Sequence, residues 1–241
     1  MQIADFSNGF DTLVNAYANS AAFGEDVSVR DIRVDEFEKS QFLTKAQEAY
    51  VLSLYNGKNP YGESFESTEE MRRYLSNLVE EKKLKPITTS DGKPLGMESN
   101  SKFFTLPENL WFITYESAHV SDAKCDNMST LDVYPVTQDE YHKIKRNPFR
   151  GANDRRALRL DLSEGNIEVI SKYTVTEYYI RYLRKIKPIL LVNLANDDVN
   201  LEGYTTPQGC ELHESLHQRI LELAVQMALQ SKGYNIKNEN K

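Results

Sequence analysis

Apolar residues recur at helical spacing in the first third of the chain. Leu43, Ala46, Tyr50 and Leu54 share one face, behind Asp35 and Glu38, a capping side chain with a carboxylate three residues on. Asn56-Gly57 closes that run. Ser67-Thr-Glu-Glu70 opens a second run, in which Met71, Leu75, Leu78 and Val79 fall together until Pro86 forbids continuation. The pair predicts a helical hairpin, with a shorter helix over Phe10 to Ala22 docked on it. From Thr88 to Ser101 turn residues dominate and the periodicity stops, which predicts a loop or linker.

Beyond that segment the period shortens. Leu110 to Tyr115 is a continuous apolar run of β-formers, expected of a strand covered on both faces. Leu158, Leu160 and Leu162 alternate with Ala157, Arg159 and Asp161, which predicts a strand with one core face and one solvent face. Ser163-Glu-Gly-Asn166 is a hairpin turn into Ile167 to Ile170. Thr137-Gln-Asp-Glu140 starts a short helix through Tyr141 and Ile144 that must end before Pro148. Tyr173 to Lys185 is a tyrosine-rich strand, and Lys187-Pro188 stops it ahead of the apolar Ile189 to Val192. Leu216, Ile220, Leu223, Ala224, Met227 and Ala228 stripe a closing helix. The class is α+β: an N-terminal helical hairpin, a central antiparallel sheet or sandwich with a short inserted helix, and a C-terminal helix. Along the chain this divides into a helical region over 1–87, a linker loop over 88–102 and a β-rich region over 103–241, with one continuous domain as the alternative.

Composition narrows the function. The chain has 241 residues, 40% hydrophobic and 10% aromatic, enough for one large core or two small ones. No run approaches the roughly 18 apolar residues of a membrane span, and Met-Gln-Ile-Ala-Asp-Phe lacks a secretory pattern, so a soluble protein without a membrane partner is expected. Cys125 and Cys210 form no CxxC pair, which points to free thiols in a reducing compartment. The 29 basic and 36 acidic residues leave a net charge of -7, unsuited to wrapping duplex DNA. Nucleotide-binding and hydrolase motifs are missing, so no cofactor and no catalytic residue is expected.

The sharpest chemical pattern is His213-Glu-Ser-Leu-His217, which fits HExxH letter for letter. In zinc peptidases that spacing sets two imidazoles on one helical face for the metal and a glutamate beside the bound water. Against this, no histidine follows His217 to serve as third ligand, and Ser215 with Gln218 forms a capping box that would leave His213 and Glu214 outside the helix. The plain structural reading is a docked terminal helix, with zinc peptidase as the alternative function.

Two further constellations suggest contact surfaces. Tyr178, Tyr179 and Arg181 interleave aromatic and basic groups, as in single-strand binders but more commonly in cross-strand pairs and interface belts. Asn147-Pro-Phe149-Arg150, followed by Arg155 and Arg156, makes a basic loop with an exposed-looking phenylalanine. It reads either as a solvated turn or as an anchor that inserts into a neighbouring subunit and pairs with its carboxylates, for which Glu66, Glu69 and Glu70 are candidates.

Taken together, Phe42-Leu-Thr-Lys-Ala-Gln47, Thr137-Gln-Asp-Glu-Tyr141, Asn147-Pro-Phe-Arg150, Lys187-Pro188 and Cys210-Glu-Leu ahead of Leu216-His217 resemble the ring proteins of crAss-like short-tailed phages. The resemblance spans about Val34 to Leu229 and contains no catalytic motif. It implies a virion protein at the head-tail junction, assembled in the host cytoplasm. Such a protein would form a cyclic homo-oligomer of 12 copies to match the portal, contact other ring or tail proteins, and extend a channel that passes DNA without sequence-specific binding. A generic protein-binding module is the third reading.

Overall fold

The computed structural model describes residues 1–18, 33–58, 62, 64–65, 67–87, 96, 98, 101–121, 130–195 and 198–233. Their backbone contacts form two compact units, Met1–Asn77 with Ile186–Lys241, and Leu78–Lys185. The boundaries expected at 87 and 103 were drawn on composition along the chain, and most of the segment between them lies outside the described residues, as does Cys125.

The first unit is helical. It holds α1 (Ile3–Ala18), α2 (Glu36–Asn56), α3 (Glu69–Tyr74) and α5 (Glu214–Ser231). α1 starts seven residues before the expected Phe10, and the expected end, 19–22, lies outside the described residues. α2 matches its sequence signals: Asp35 caps it by accepting from Glu38 N at 2.7 Å, and Gly57 ends it with φ of 70°. The buried face of α2 is partly polar. Ser40 Oγ accepts from Leu191 N (3.0 Å), Thr44 Oγ1 from Ile189 N (3.1 Å), and Gln47 Nε2 donates to the Lys187 carbonyl (2.8 Å). Spaced at i, i+4 and i+7, these side chains act as a substitute strand edge for the extended 187–191 backbone, which would otherwise be buried unsatisfied. α5 packs its Leu216, Ile220, Leu221, Ala224, Val225, Ala228 and Leu229 inward. Leu221, Val225 and Leu229 take the places expected for Leu223 and Met227, which sit half-buried.

The second predicted helix is shorter than expected. α3 is capped by Thr68 and ends at Tyr74, and after a 3₁₀ turn (Ser76–Leu78) residues Val79–Leu84 form β1. Val79-Glu-Glu-Lys-Lys-Leu has no alternation of its own, and it is a strand because strand β7 (Thr174–Arg184) pairs with it along its whole length.

The second unit is a curled seven-stranded sheet in the order β1-β7-β3-β4-β5-β6-β2. Its remaining strands are β2 (Lys102–Thr105), β3 (Leu110–Ser121), β4 (Thr130–Pro135), β5 (Arg156–Asp161) and β6 (Asn166–Ile170). The sheet is mixed, not purely antiparallel: β4 and β5 run parallel because helix α4 (Gln138–Ile144) carries the chain back between them. Thr137 caps α4 and Ser163–Gly165 turns β5 into β6, as the sequence indicates. Ile87 N donates to Phe103 O at 2.8 Å, so the chain leaving β1 joins β2 and the two ends of the sheet meet. Inside the curl lie Phe104, Ala118, Leu131, Val133, Ile167, Val169, Val175, Tyr178 and Ile180. Outside, Tyr141 and Ile144 of α4 cover Leu158, Leu160 and Ile170. β5 is therefore buried on both faces, and the expected solvent face is a correction: Ala157 is 0% and Arg159 8% exposed. Alternation was present, but α4 covers one face and the curl encloses the other.

Candidate functional site

β3 determines the surface of the sheet unit. Its register against β7 slips between Leu110 and Phe112, again between Ile113 and Tyr115, and once more at His119. Extra residues of this kind bend and twist a strand. Among the described residues β3 accordingly pairs with β4 through Ser117, Ala118 and His119, and below that point the two strands part. The resulting cleft is lined by Ile113, Thr114, Tyr115, Glu116, Asp132, Val133 and Tyr134. Tyr115 and Tyr134 stand at its lips, 48% and 44% exposed.

At the base of the cleft is a buried charge pair. Arg159 Nη1 donates to both carboxylate oxygens of Glu116, at 3.0 and 2.9 Å, and the Tyr178 hydroxyl donates to Glu116 Oε2. Arg159 Nε also lies 3.0 Å from Asp161 Oδ1. Burial pushes the Glu116 carboxyl above its ordinary value, while the Arg159 guanidinium and the Tyr178 hydroxyl draw it down. Burial and the Glu116 charge raise Tyr178, which stays protonated. Sequence reasoning missed Glu116 and placed Arg159 in solvent; an isolated Glu within an apolar strand was the available signal.

Next to the cleft is the basic loop that the sequence singled out. Arg156 lies over the Tyr134 ring at 4.3 Å and donates from Nη1 to the Phe149 carbonyl at 2.8 Å. Asn147 Oδ1 accepts from Phe149 N (2.9 Å) and Arg150 N (3.2 Å), and its carbonyl accepts from Gly151 N (2.7 Å). Gly151 is required here, since a Cβ would sit 2.8 Å from that carbonyl oxygen. Asn153 Oδ1 holds Arg155 N at 2.9 Å. The loop is thus tied by its own polar groups, and Phe149 projects from it 84% exposed. Arg150 and Arg155 are exposed beside it.

The predicted tyrosine belt is divided between the two faces of β7. Tyr178 is fully buried, which removes its side chain from any surface role: in a strand, successive residues point to opposite faces. Tyr179 reaches the outside, 6.1 Å from the Tyr115 ring, and donates to Glu81 at 2.7 Å. Arg181 lies 3.5 Å from the same Glu81 oxygen, so it is already engaged within the sheet. Of the suggested acidic face, Glu66 lies outside the described residues, Glu69 is 3.6 Å from Arg73, and Glu70 accepts from Tyr74.

The HExxH residues are placed for capping and packing. His213 is the N-cap of α5, its φ and ψ are -57° and 139°, and its ring accepts from Ser215 N at 3.3 Å. The cap is therefore two residues before the expected Ser215, and His213 does not share a helical turn with His217. His217 is buried against Phe6, with rings 5.4 Å apart; its Nε2 lies 2.9 Å from the Leu212 carbonyl and its Nδ1 2.8 Å from the Met1 amino nitrogen. Both ring nitrogens that would bind a metal are occupied. Cys210 is half-buried, and burial pushes its thiol up to about 11, so at neutral pH it is not a thiolate nucleophile.

Burial holds His217 below the ordinary imidazole value of 6.5. A depressed histidine contributes stability that is fully present above the unfolded value and is lost as pH falls through the folded one. The melting temperature is expected to fall on acidification below pH 6.5, and His217→Gln should flatten that decline; equal slopes in both proteins between pH 7.5 and 5 would rule this out.

What these residues bring together is a surface for contact: exposed aromatics, a tied basic loop and a cleft between parted strands. The chain belongs to the phage tail ring protein 3/4 family, which it matches over residues 1–240. It is 44% identical over 231 residues to "Ring protein 3" of Bacteroides phage crAss001, covering 95% of each chain. It is also 28% identical over 236 residues to "Ring protein 4/5" of the same phage, covering 95% of this chain and 92% of the relative. The chain is a phage structural protein of the ring class. Among the described residues no helix is long and apolar enough to cross a membrane.

Proposed function

We propose that this chain assembles into a closed cyclic ring at the head-tail junction of the virion, below the portal, where copies of itself and other ring or tail proteins are its partners. The observation that carries the reading is the 44% identity to a ring protein over 95% of both chains. The ring holds 12 copies, in register with the portal, and its work is mechanical, without a catalytic step, a cofactor or a metal. Its lumen extends the channel through which DNA passes, and a net charge of -7 keeps phosphate from adhering to the wall during packaging and ejection. The protein is made in the host cytoplasm and carried in the virion.

The subunit contact uses Phe149 as its anchor, with Asn147, Arg150, Arg155 and Arg156 shaping and charging the loop around it, and Tyr179 and Arg181 at its margin. A pre-tied loop loses little freedom on docking, so the apolar gain at Phe149 is retained as affinity. Native mass spectrometry with negative-stain class averages, on the purified chain alone and with portal added, tests the reading. Symmetric rings of a single size are expected; a chain that stays monomeric in both conditions would overturn it.

A further inference from the structure

A ring built head to tail needs two different complementary patches on each copy, one for each neighbour. The basic loop on the sheet unit is one such patch. The helical unit carries the other kind, in a hairpin that the sequence reading did not single out.

Between Leu190 and Gln208 the chain doubles back on itself. Leu190 and Gln208 exchange backbone bonds at 2.9 Å, and Leu194 N donates to Thr205 O at 2.8 Å. At the tip, Leu201 and Tyr204 exchange bonds at 3.0 and 2.9 Å around Glu202 and Gly203, whose φ values are 53° and 85°. Positive φ at both central residues is the two-residue turn that matches strand twist. Asn200 Oδ1 accepts from Gly203 N at 2.9 Å and pins the turn. Val199 and Tyr204 are 45% and 36% exposed at this tip, beside the exposed carboxylates of Asp198 and Glu202. Neither carboxylate makes an ion pair among the described residues, and the same holds for the exposed Arg146 and Arg150 of the basic loop.

We infer that the acidic hairpin tip of one copy docks on the basic Phe149 loop of the next, Asp198 and Glu202 facing Arg146 and Arg150, with Val199 and Tyr204 covering Phe149. The inference rests on the ring reading and adds which two surfaces meet. Each copy carries apolar groups and exposed cations on one unit, and apolar groups and exposed anions on the other. Opposite charges select the register, and the apolar centre supplies the affinity. Like pairs, loop on loop or tip on tip, place equal charges together, so the contact favours a directional chain of copies over a two-fold pair.

Two charge-reversed versions of the full chain test this. One carries Arg146→Glu with Arg150→Glu, the other Asp198→Lys with Glu202→Lys. All four positions are exposed, so circular dichroism and melting should match the wild type. In native mass spectrometry, alone and with portal, each version is expected to lose self-association at least tenfold. An equimolar mixture should assemble again with the two versions in equal number, since each reversed patch meets its complement. Wild-type-like assembly of either version alone, or failure of the mixture to assemble, overturns the inference while wild-type rings keep the ring reading. A wild type that forms no ring in either condition removes the ring reading and the inference with it.

Discussion

Replacing Arg159 by alanine is expected to lower the unfolding free energy of the sheet unit by about 3–5 kcal/mol, because it strands a charge in a place built for a pair. Glu116 and Arg159 have side chains only 9% and 10% exposed, and the Glu116 carboxylate receives both the guanidinium and the Tyr178 hydroxyl. Without Arg159, Glu116 must either stay ionised with one remaining donor or take up a proton, and both routes cost folding energy. For a chain of this size the melting temperature should fall by roughly 10 °C. The triple change Arg159→Met with Glu116→Leu and Tyr178→Phe should recover most of the loss, since it removes the charge that needs solvating and leaves no buried hydroxyl without its acceptor. Urea unfolding of the single and triple variants measures both effects. A single variant within about 0.5 kcal/mol of wild type would place it among ordinary surface substitutions and show that the pair does not hold the sheet together.

Phe149→Ala is expected to leave stability unchanged and to weaken self-association by about 2 kcal/mol per contact, close to thirtyfold. The ring is 84% exposed and contributes little to the core, so its removal leaves no cavity. The loop beneath it is held by Asn147, Gly151 and Arg156 through their backbone and side-chain bonds, none of which involves the phenyl group. In a closed ring every contact carries the change, so assembly should shift by far more than one contact implies. Native mass spectrometry across a concentration series, with melting as the control, is the measurement. Assembly equal to wild type would remove Phe149 from the contact, and a lowered melting temperature would reassign it to the fold.

Phe149 and Arg159 differ in how far the sequence leads to them. Phe149 was legible because its surroundings are local: Asn, Pro and Gly within five residues make a turn, and a phenylalanine among arginines in a turn has no core to enter. Arg159 was not, because its partner stands 43 residues away and reaches it only when β3, β4 and β5 assemble into one sheet. Tyr178 failed for a related reason: the belt of tyrosines is visible in the sequence, but which of Tyr178 and Tyr179 faces outward depends on which side of β7 the curl encloses. The tip at 198–204 was passed over because the pairings that make it a hairpin, Leu190 with Gln208 and Leu201 with Tyr204, are made in the fold without an alternating strand pattern on either side.

By itself the sequence determined the α+β class, the capped ends of α2 and α4, the turn between β5 and β6 and the long tyrosine strand β7. These depend on contacts within a few residues, where cap hydrogen bonds, glycine φ and side-chain period act directly. The tertiary structure alone decided that Val79–Leu84 is a strand, that β5 is buried on both faces and that Arg159 pairs with Glu116. In each case the free energy of a residue is set by what distant segments bring against it: a partner strand, a covering helix or a counter-charge.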